Sequence, residues 1–161
     1  MKTKVINQVT EKRPFVLNND RILIVDNDQK WLDVVCRNAE YYGAKEIYQT
    51  KSPSKGMYFW EVERPSIIFI DINFNEKDLT NKEGLDLLEQ LSYKIQKLPD
   101  KKYLEKNPDI DFPTTTLVAI SSFKGMRGFA KKAGANYFIR KKNFIRDFEG
   151  FVWNYHKVRL V

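Results

Sequence analysis

Cysteine and histidine are nearly missing from this chain: Cys36 and His156 are the single representatives of their types in 161 residues. That excludes an internal disulfide and any zinc site built from Cys and His, so a metal here must be held by oxygen. Long apolar runs are missing too. No stretch approaches the roughly 18 residues that a bilayer-crossing helix needs, and the opening MKTKVINQVTEKRPFVL is basic without a continuous apolar segment. Neither a membrane span nor a secretory leader is expected, which makes the cytoplasm the expected compartment. No internal repeat is evident. What is present is a chain 42% hydrophobic and 14% aromatic, enough to bury one core in a single domain.

Charge is placed unevenly. The net charge is +7, yet residues 123–161 alone carry ten Lys or Arg against only Asp147 and Glu149, so the last quarter holds the whole excess. Such a concentration is either a well-solvated face or a surface that meets an acidic partner.

Residues 1–20 lack sustained periodicity and contain Pro14 and the turn-like NND; they read as an N-terminal extension, with residues 15–17 able to pack on the domain. RILIV follows as a nearly all-apolar strand, as expected when both faces of a parallel sheet are covered. Leu32, Val35, Cys36, Ala39 and Tyr42 then recur at helical spacing up to Gly43. EIYQT is a short second strand. Ser52-Pro53 is an N-cap and first-position proline opening a second helix. PSIIFID is the third strand, EGLDLLEQLSYKIQKL the third helix, TTLVAISS the fourth strand, KGMRGFAKKAG a fourth helix, ANYFIR the fifth strand and NFIRDFEGFVWNYHKVRL a fifth helix. PDKKYLEKNPDIDFP carries three prolines and little pattern, and reads as a long exposed connection.

Strands alternating with helices predict an α/β fold, a doubly wound five-stranded parallel sheet with helices on both faces and strand order 2-1-3-4-5. Ligands of such sheets bind beyond the carboxyl ends of the strands. Asp26, Asp71, Ser121 and Lys141 all fall there. Clustered carboxylates call for a cation, with Mg2+ the natural occupant, and an aspartate can attack phosphorus while a hydroxyl and a lysine neutralise the transferred oxygens.

The chain resembles a response-regulator receiver domain of the CheY-like, flavodoxin-like type used in two-component phosphorelays. ILIVDND is similar to the first-strand acidic motif, IIFIDIN to the phosphoacceptor strand, EGLDLL to the helix after it, AISS to the switch-hydroxyl strand and AGANYFIRK to the lysine strand. The resemblance covers residues 21–161 as a receiver-like domain, with insertions near residues 74–82 and 99–113. It implies that Asp71 accepts phosphate and that Mg2+ is held by Asp26, Asp71 and the Asn73 backbone carbonyl. It further implies that Ser121 and Phe138 are switch residues, and that Lys141 is the ionic partner. A histidine kinase or phosphotransfer protein would be the donor, and activity would be limited to self-phosphorylation from a donor and self-dephosphorylation. With no output domain, the chain is expected to signal by binding a protein or a second copy of itself through the fourth helix, fifth strand and fifth helix. Nothing resembles a nucleic-acid recognition helix.

Two departures from that pattern stand out. Asn27 occupies a position where a second carboxylate is usual, so its place as a metal ligand is in doubt and Mg2+ binding should be weakened. Lys142 stands where a proline is common, so no cis bond is expected at that position. Asp28 reads as the cap of the first helix. Trp31, Trp60 and Trp153 read as core or half-buried packing, Cys36 as core, Ser122 as a strand end and His156 as a solvated cation. Two other functions remain open. One is a pseudo-receiver that binds without accepting phosphate, suggested by Asn27 and the enlarged loop. The other is a haloacid-dehalogenase-like (HAD-like) phosphatase using Asp26 and Asp28 as a DxD pair, which leaves Asp71 idle.

Overall fold

In a computed structural model, residues 16–73, 80–109 and 114–159 are described. β1 (Arg21–Val25) is buried at every position after its first, and β3 (Ile67–Asp71) at all five. Their uninterrupted Ile, Leu, Val and Phe content suits strands covered on both faces. β2 (Glu46–Thr50) and β5 (Tyr137–Arg140) are only partly buried and form the edges, while β4 (Thr116–Ser121) completes the interior. The order is β2-β1-β3-β4-β5, and every pairing is parallel. The fold class and strand order expected from the sequence are those observed.

Strand alternation sends successive residues to opposite faces and so builds two cores. Ile22, Ile24, Phe69, Val118 and Ile120 face α1 (Gln29–Tyr41) and α6 (Phe144–Arg159). Phe69 stacks on Phe148 at 5.3 Å and meets Phe151 edge-on at 5.5 Å, locking the last helix to the central strand. Leu23, Val25, Ile68, Ile70 and Ala119 face the other way, against α2 (Pro53–Glu63), α3 (Glu83–Gln96) and α5 (Met126–Lys132). The caps expected for α1 and α2 are present. Asp28 accepts from the Lys30 N–H at 2.9 Å and Ser52 from that of Lys55 at 3.4 Å, and Gly43, at φ 96°, turns the chain after α1.

One element departs from the sequence reading. The proline-bearing connection contains a sixth helix, α4 (Lys101–Lys106), whose start is capped by Asp100 accepting from the Tyr103 N–H at 2.8 Å. A six-residue stretch is too short for hydrophobic periodicity to register, so the cap and the good helix formers KKYLEK decide it. Residues 74–79 and 110–113, within the two segments expected to be insertions, and residues 1–15, within the expected extension, lie outside the described residues. Residues 16–20 pack on the domain. Leu17 is fully buried and its N–H reaches the Tyr42 carbonyl at 3.0 Å. Asp20, also buried, accepts from Ser66 Oγ at 2.6 Å and Tyr155 Oη at 2.8 Å, joining the start of β1 to α6. Trp153, expected to be at least half-buried, is exposed, while Trp60 is core and Trp31 half-buried; Cys36 and His156 are also half-buried. Trp153 follows Phe151 and Val152, which fill the inward stripe of α6, and it therefore falls on the outer arc.

Candidate functional site

Four neighbouring parallel strands end with the same local device. The side-chain oxygen of the last or next residue accepts the backbone N–H two residues on: Thr50 from Ser52 (3.1 Å), Asp26 from Asp28 (2.9 Å), Asp71 from Asn73 (3.0 Å) and Ser121 from Phe123 (3.1 Å). Side-chain turns of this kind satisfy donors released where the ladder stops and bend the chain toward the next helix. Polar strand ends are therefore explained locally. The aspartates differ from Thr50 and Ser121 in possessing a second oxygen.

Those second oxygens converge. Lys141, directly after β5 in a short 3-10 turn, brings its Nζ to 3.0 Å from Asp71 Oδ2 and 3.1 Å from Asp26 Oδ2. The side chains are almost wholly enclosed, 2% exposed for each aspartate and 4% for the lysine. Ser121 is fully buried on the next strand, one position past Ile120, which pairs with Asp71 in register. Asn73 is buried with its N–H committed to Asp71. Phe138 is half-buried in β5, its ring under the Arg127 guanidinium at 5.4 Å. Asn27 and Ser122 are exposed. Asp26, Asp71 and Lys141 are thus brought into contact, with Ser121 and Asn73 on the adjoining backbone and Asn27 at the rim.

Asp28 does not join Asp26 as a second pocket carboxylate. Its side chain is committed to the Lys30 N–H as the cap of α1, and it is exposed. The DxD arrangement on which a phosphatase reading depends is therefore not formed, because the capping bond holds the second acid at the helix start.

Two buried carboxylates around one ammonium leave an excess negative charge, and the titration behaviour reflects it. Burial, reinforced by the Asp26 charge, pushes Asp71 up to about 7, against the pull of Lys141 and the Asn73 N–H. Burial likewise raises Asp26 despite Lys141. Burial acts to lower Lys141, but the Asp71 and Asp26 carboxylates outweigh it and the ammonium is held above its ordinary range. A proton or a further cation would relieve the pocket.

The oxygens present fit a hard cation. Asp26 Oδ2 touches Lys141 but lacks a directed hydrogen bond, and Asn73 Oδ1 is buried without a hydrogen-bond partner among the described residues. Among those residues no group of three or more His, Cys, Asp or Glu could hold a metal, so the set is two carboxylates supplemented by neutral oxygens.

Two neighbours escaped the sequence reading. Gly84, at the start of α3, lies so close to β3 that a Cβ there would collide with the Asp71 carbonyl oxygen. Its signal was the glycine of EGLDLL, in which only the helix pattern was read. Trp31 places its ring 4.9 Å from Lys141 Nζ; its place one helical turn past the acidic motif was the available clue.

No family model matches the chain, and no curated protein does. Solved structures do. A CheY-like response regulator receiver domain from Methylobacillus flagellatus superposes with TM-score 0.61 at 21% identity, covering 83% of this chain and 96% of that one. A CheY-like receiver domain protein from Methanospirillum hungatei JF-1 gives 0.55 at 21% identity over 86% and 97%. A Burkholderia pseudomallei response regulator with a phosphorylated aspartic acid, calcium ion and citrate gives 0.53 at 17% identity over 76% and 60%. The chain has the CheY-like receiver fold.

Proposed function

We propose that this protein contains a receiver that accepts a phosphoryl group on Asp71 in a Mg2+-dependent way, and signals by protein-protein contact. The observation that carries the reading is the enclosed triad of Asp26, Asp71 and Lys141 at the carboxyl edge of a receiver fold. The presence of a phosphorylated aspartic acid and a calcium ion in the Burkholderia regulator is consistent with it.

Asp71 Oδ2 is the attacking atom, since Oδ1 is held by the Asn73 N–H. Attack forms the bond from Oδ2 to phosphorus as the bond from phosphorus to the donor breaks, the electron pair leaving with the imidazole nitrogen of a phosphohistidine or, for acetyl phosphate, with the acetate oxygen. Lys141 then exchanges its contact with Oδ2 for one with a phosphoryl oxygen, neutralising charge in a water-poor pocket. Ser121 turns from the Phe123 N–H toward the same group, which frees the start of the segment leading to α5. Mg2+ would be held by Asp26, Asp71 and the Asn73 carbonyl, with Asn27 a doubtful fourth, and would keep Asp71 ionised and screen phosphoryl charge.

The donor is a histidine kinase or phosphotransfer protein. The output face is α5, β5 and α6, where Arg127, Lys131 and Lys132 are exposed and Phe129 is 58% exposed. No helix among the described residues is long and apolar enough to cross a membrane, in keeping with a cytoplasmic site of action. The second reading, a binding module that does not accept phosphate, is favoured by Asn27 and by the near-neutral titration of Asp71. Incubation with acetyl phosphate and Mg2+, followed by intact-mass measurement, separates the two. One added phosphoryl group, absent in Asp71→Asn, supports the receiver; no addition to the wild type selects the binding module.

A further inference from the structure

Lys141 has a long flexible stem, and the two carboxylates are not the only groups that meet its head. Trp31 meets it from the first turn of α1. The ammonium lies 4.9 Å from the centroid of the indole, and the same ring tilts against Phe144, the first residue of α6, at 5.7 Å. Trp31 and Lys141 also share the walls of a groove of about 440 Å3 with Lys142, Asn143, Ile145 and Arg146. Although its residue borders that groove, the lysine side chain is only 4% exposed. The electron-rich face of an indole adds a further attraction to the ammonium without competing for the carboxylate oxygens.

We infer that Trp31 is the positioning residue for Lys141: its ring holds the ammonium against Asp71 and Asp26 rather than in the groove, and links its placement to the start of α6 through Phe144. The kinetic consequence rests on the reading that Asp71 accepts a phosphoryl group. During transfer the ammonium must leave Asp71 Oδ2 for a phosphoryl oxygen, and a ring that tolerates sliding of the charge across its face permits this without releasing the lysine to water.

Five forms of the full chain test the inference: wild type, Trp31→Phe, Trp31→Leu, Lys141→Met and the Trp31→Leu/Lys141→Met pair. Labelling of Asp71 by acetyl phosphate and Mg2+ is followed by intact mass. Trp31→Leu is expected to slow labelling about fivefold, whereas Trp31→Phe, which keeps an aromatic face, stays within about twofold of wild type. In the Lys141→Met background, Trp31→Leu adds nothing, because the group it positions is gone. Equal losses in the Leu and Phe variants, or additive losses in the pair, overturn the inference.

A second readout does not depend on phosphorylation. In protein labelled with 5-fluorotryptophan, the 19F resonance missing from Trp31→Phe belongs to Trp31. It should shift in Lys141→Met while the Trp153 resonance stays in place, and absence of that shift also overturns the inference. A shift in protein whose wild type takes no label supports the positioning contact and rejects the phosphoryl reading. Labelling without the shift does the reverse.

Discussion

Asp71 Oδ2 and Lys141 Nζ, 70 residues apart in the chain, meet at 3.0 Å in a pocket that almost excludes water. The ammonium neutralises part of the negative charge that would otherwise attract a divalent cation. Replacing it by an uncharged side chain of similar length leaves two carboxylates without their ammonium, so Lys141→Met should bind Mg2+ more tightly, by about tenfold. Isothermal titration of the two proteins at pH 7.5 checks this. Unchanged or weaker binding would mean that the lysine charge does not oppose the metal.

Acidity provides a second check. Asp71 titrates near 7 when folded, far above the ordinary carboxylate value of 3.8, so between those limits the folded state holds a proton that the unfolded state has released. Stability without metal should therefore rise as pH falls from 8 toward 5, and be lost as pH rises through 7. Asp26, also raised, acts in the same direction. Urea unfolding in EDTA across this range should show the slope, and Asp71→Asn should flatten it. A wild type whose stability is level from pH 5 to 8 contradicts the placement of Asp71.

Asn27 stands at the rim, where a carboxylate would add a charged oxygen. Asn27→Asp is expected to tighten Mg2+ by about tenfold, the usual consequence of one more negative ligand around a hard cation. Equal affinity in the two proteins would remove position 27 from the metal site.

Two glycines should behave oppositely. Gly84→Ala drives a Cβ into the Asp71 carbonyl, and because backbone rather than a flexible side chain must yield, we expect a loss of about 2 to 3 kcal/mol together with impaired labelling of Asp71. At Gly128, in α5, a Cβ meets nothing within 4 Å, so Gly128→Ala should be neutral or stabilising by up to about 1 kcal/mol. Thermal and urea melts of both variants decide this.

The basic face gives the last prediction. Lys131 and Lys132 are exposed at the end of α5. Reversing both charges should weaken binding of the output partner about tenfold at low salt and less at high salt, with Asp71 labelling intact. Normal partner binding by that variant, combined with loss of binding on changing residues 99–109, would move the output face to the insertion.

Much of this protein is written locally. Alternation and apolar runs announce each strand, Ser52-Pro53 and Asp28 announce helix starts, and polar residues at three strand ends mark the edge where a site belongs, because each of these signals depends on neighbours within a turn or two. The six-residue α4 was invisible for the same reason, being shorter than the period that reveals a helix. What tertiary structure alone decided is the division of labour within each carboxylate. One oxygen of Asp26 and of Asp71 is committed to the backbone two residues on, and the other to Lys141, which arrives from the far end of the sheet. The same holds for the near-neutral titration of Asp71, the approach of Gly84 to its carbonyl and the indole beside the ammonium. Each depends on burial and on distances between segments remote in the chain, quantities that a residue's type and its neighbours do not contain.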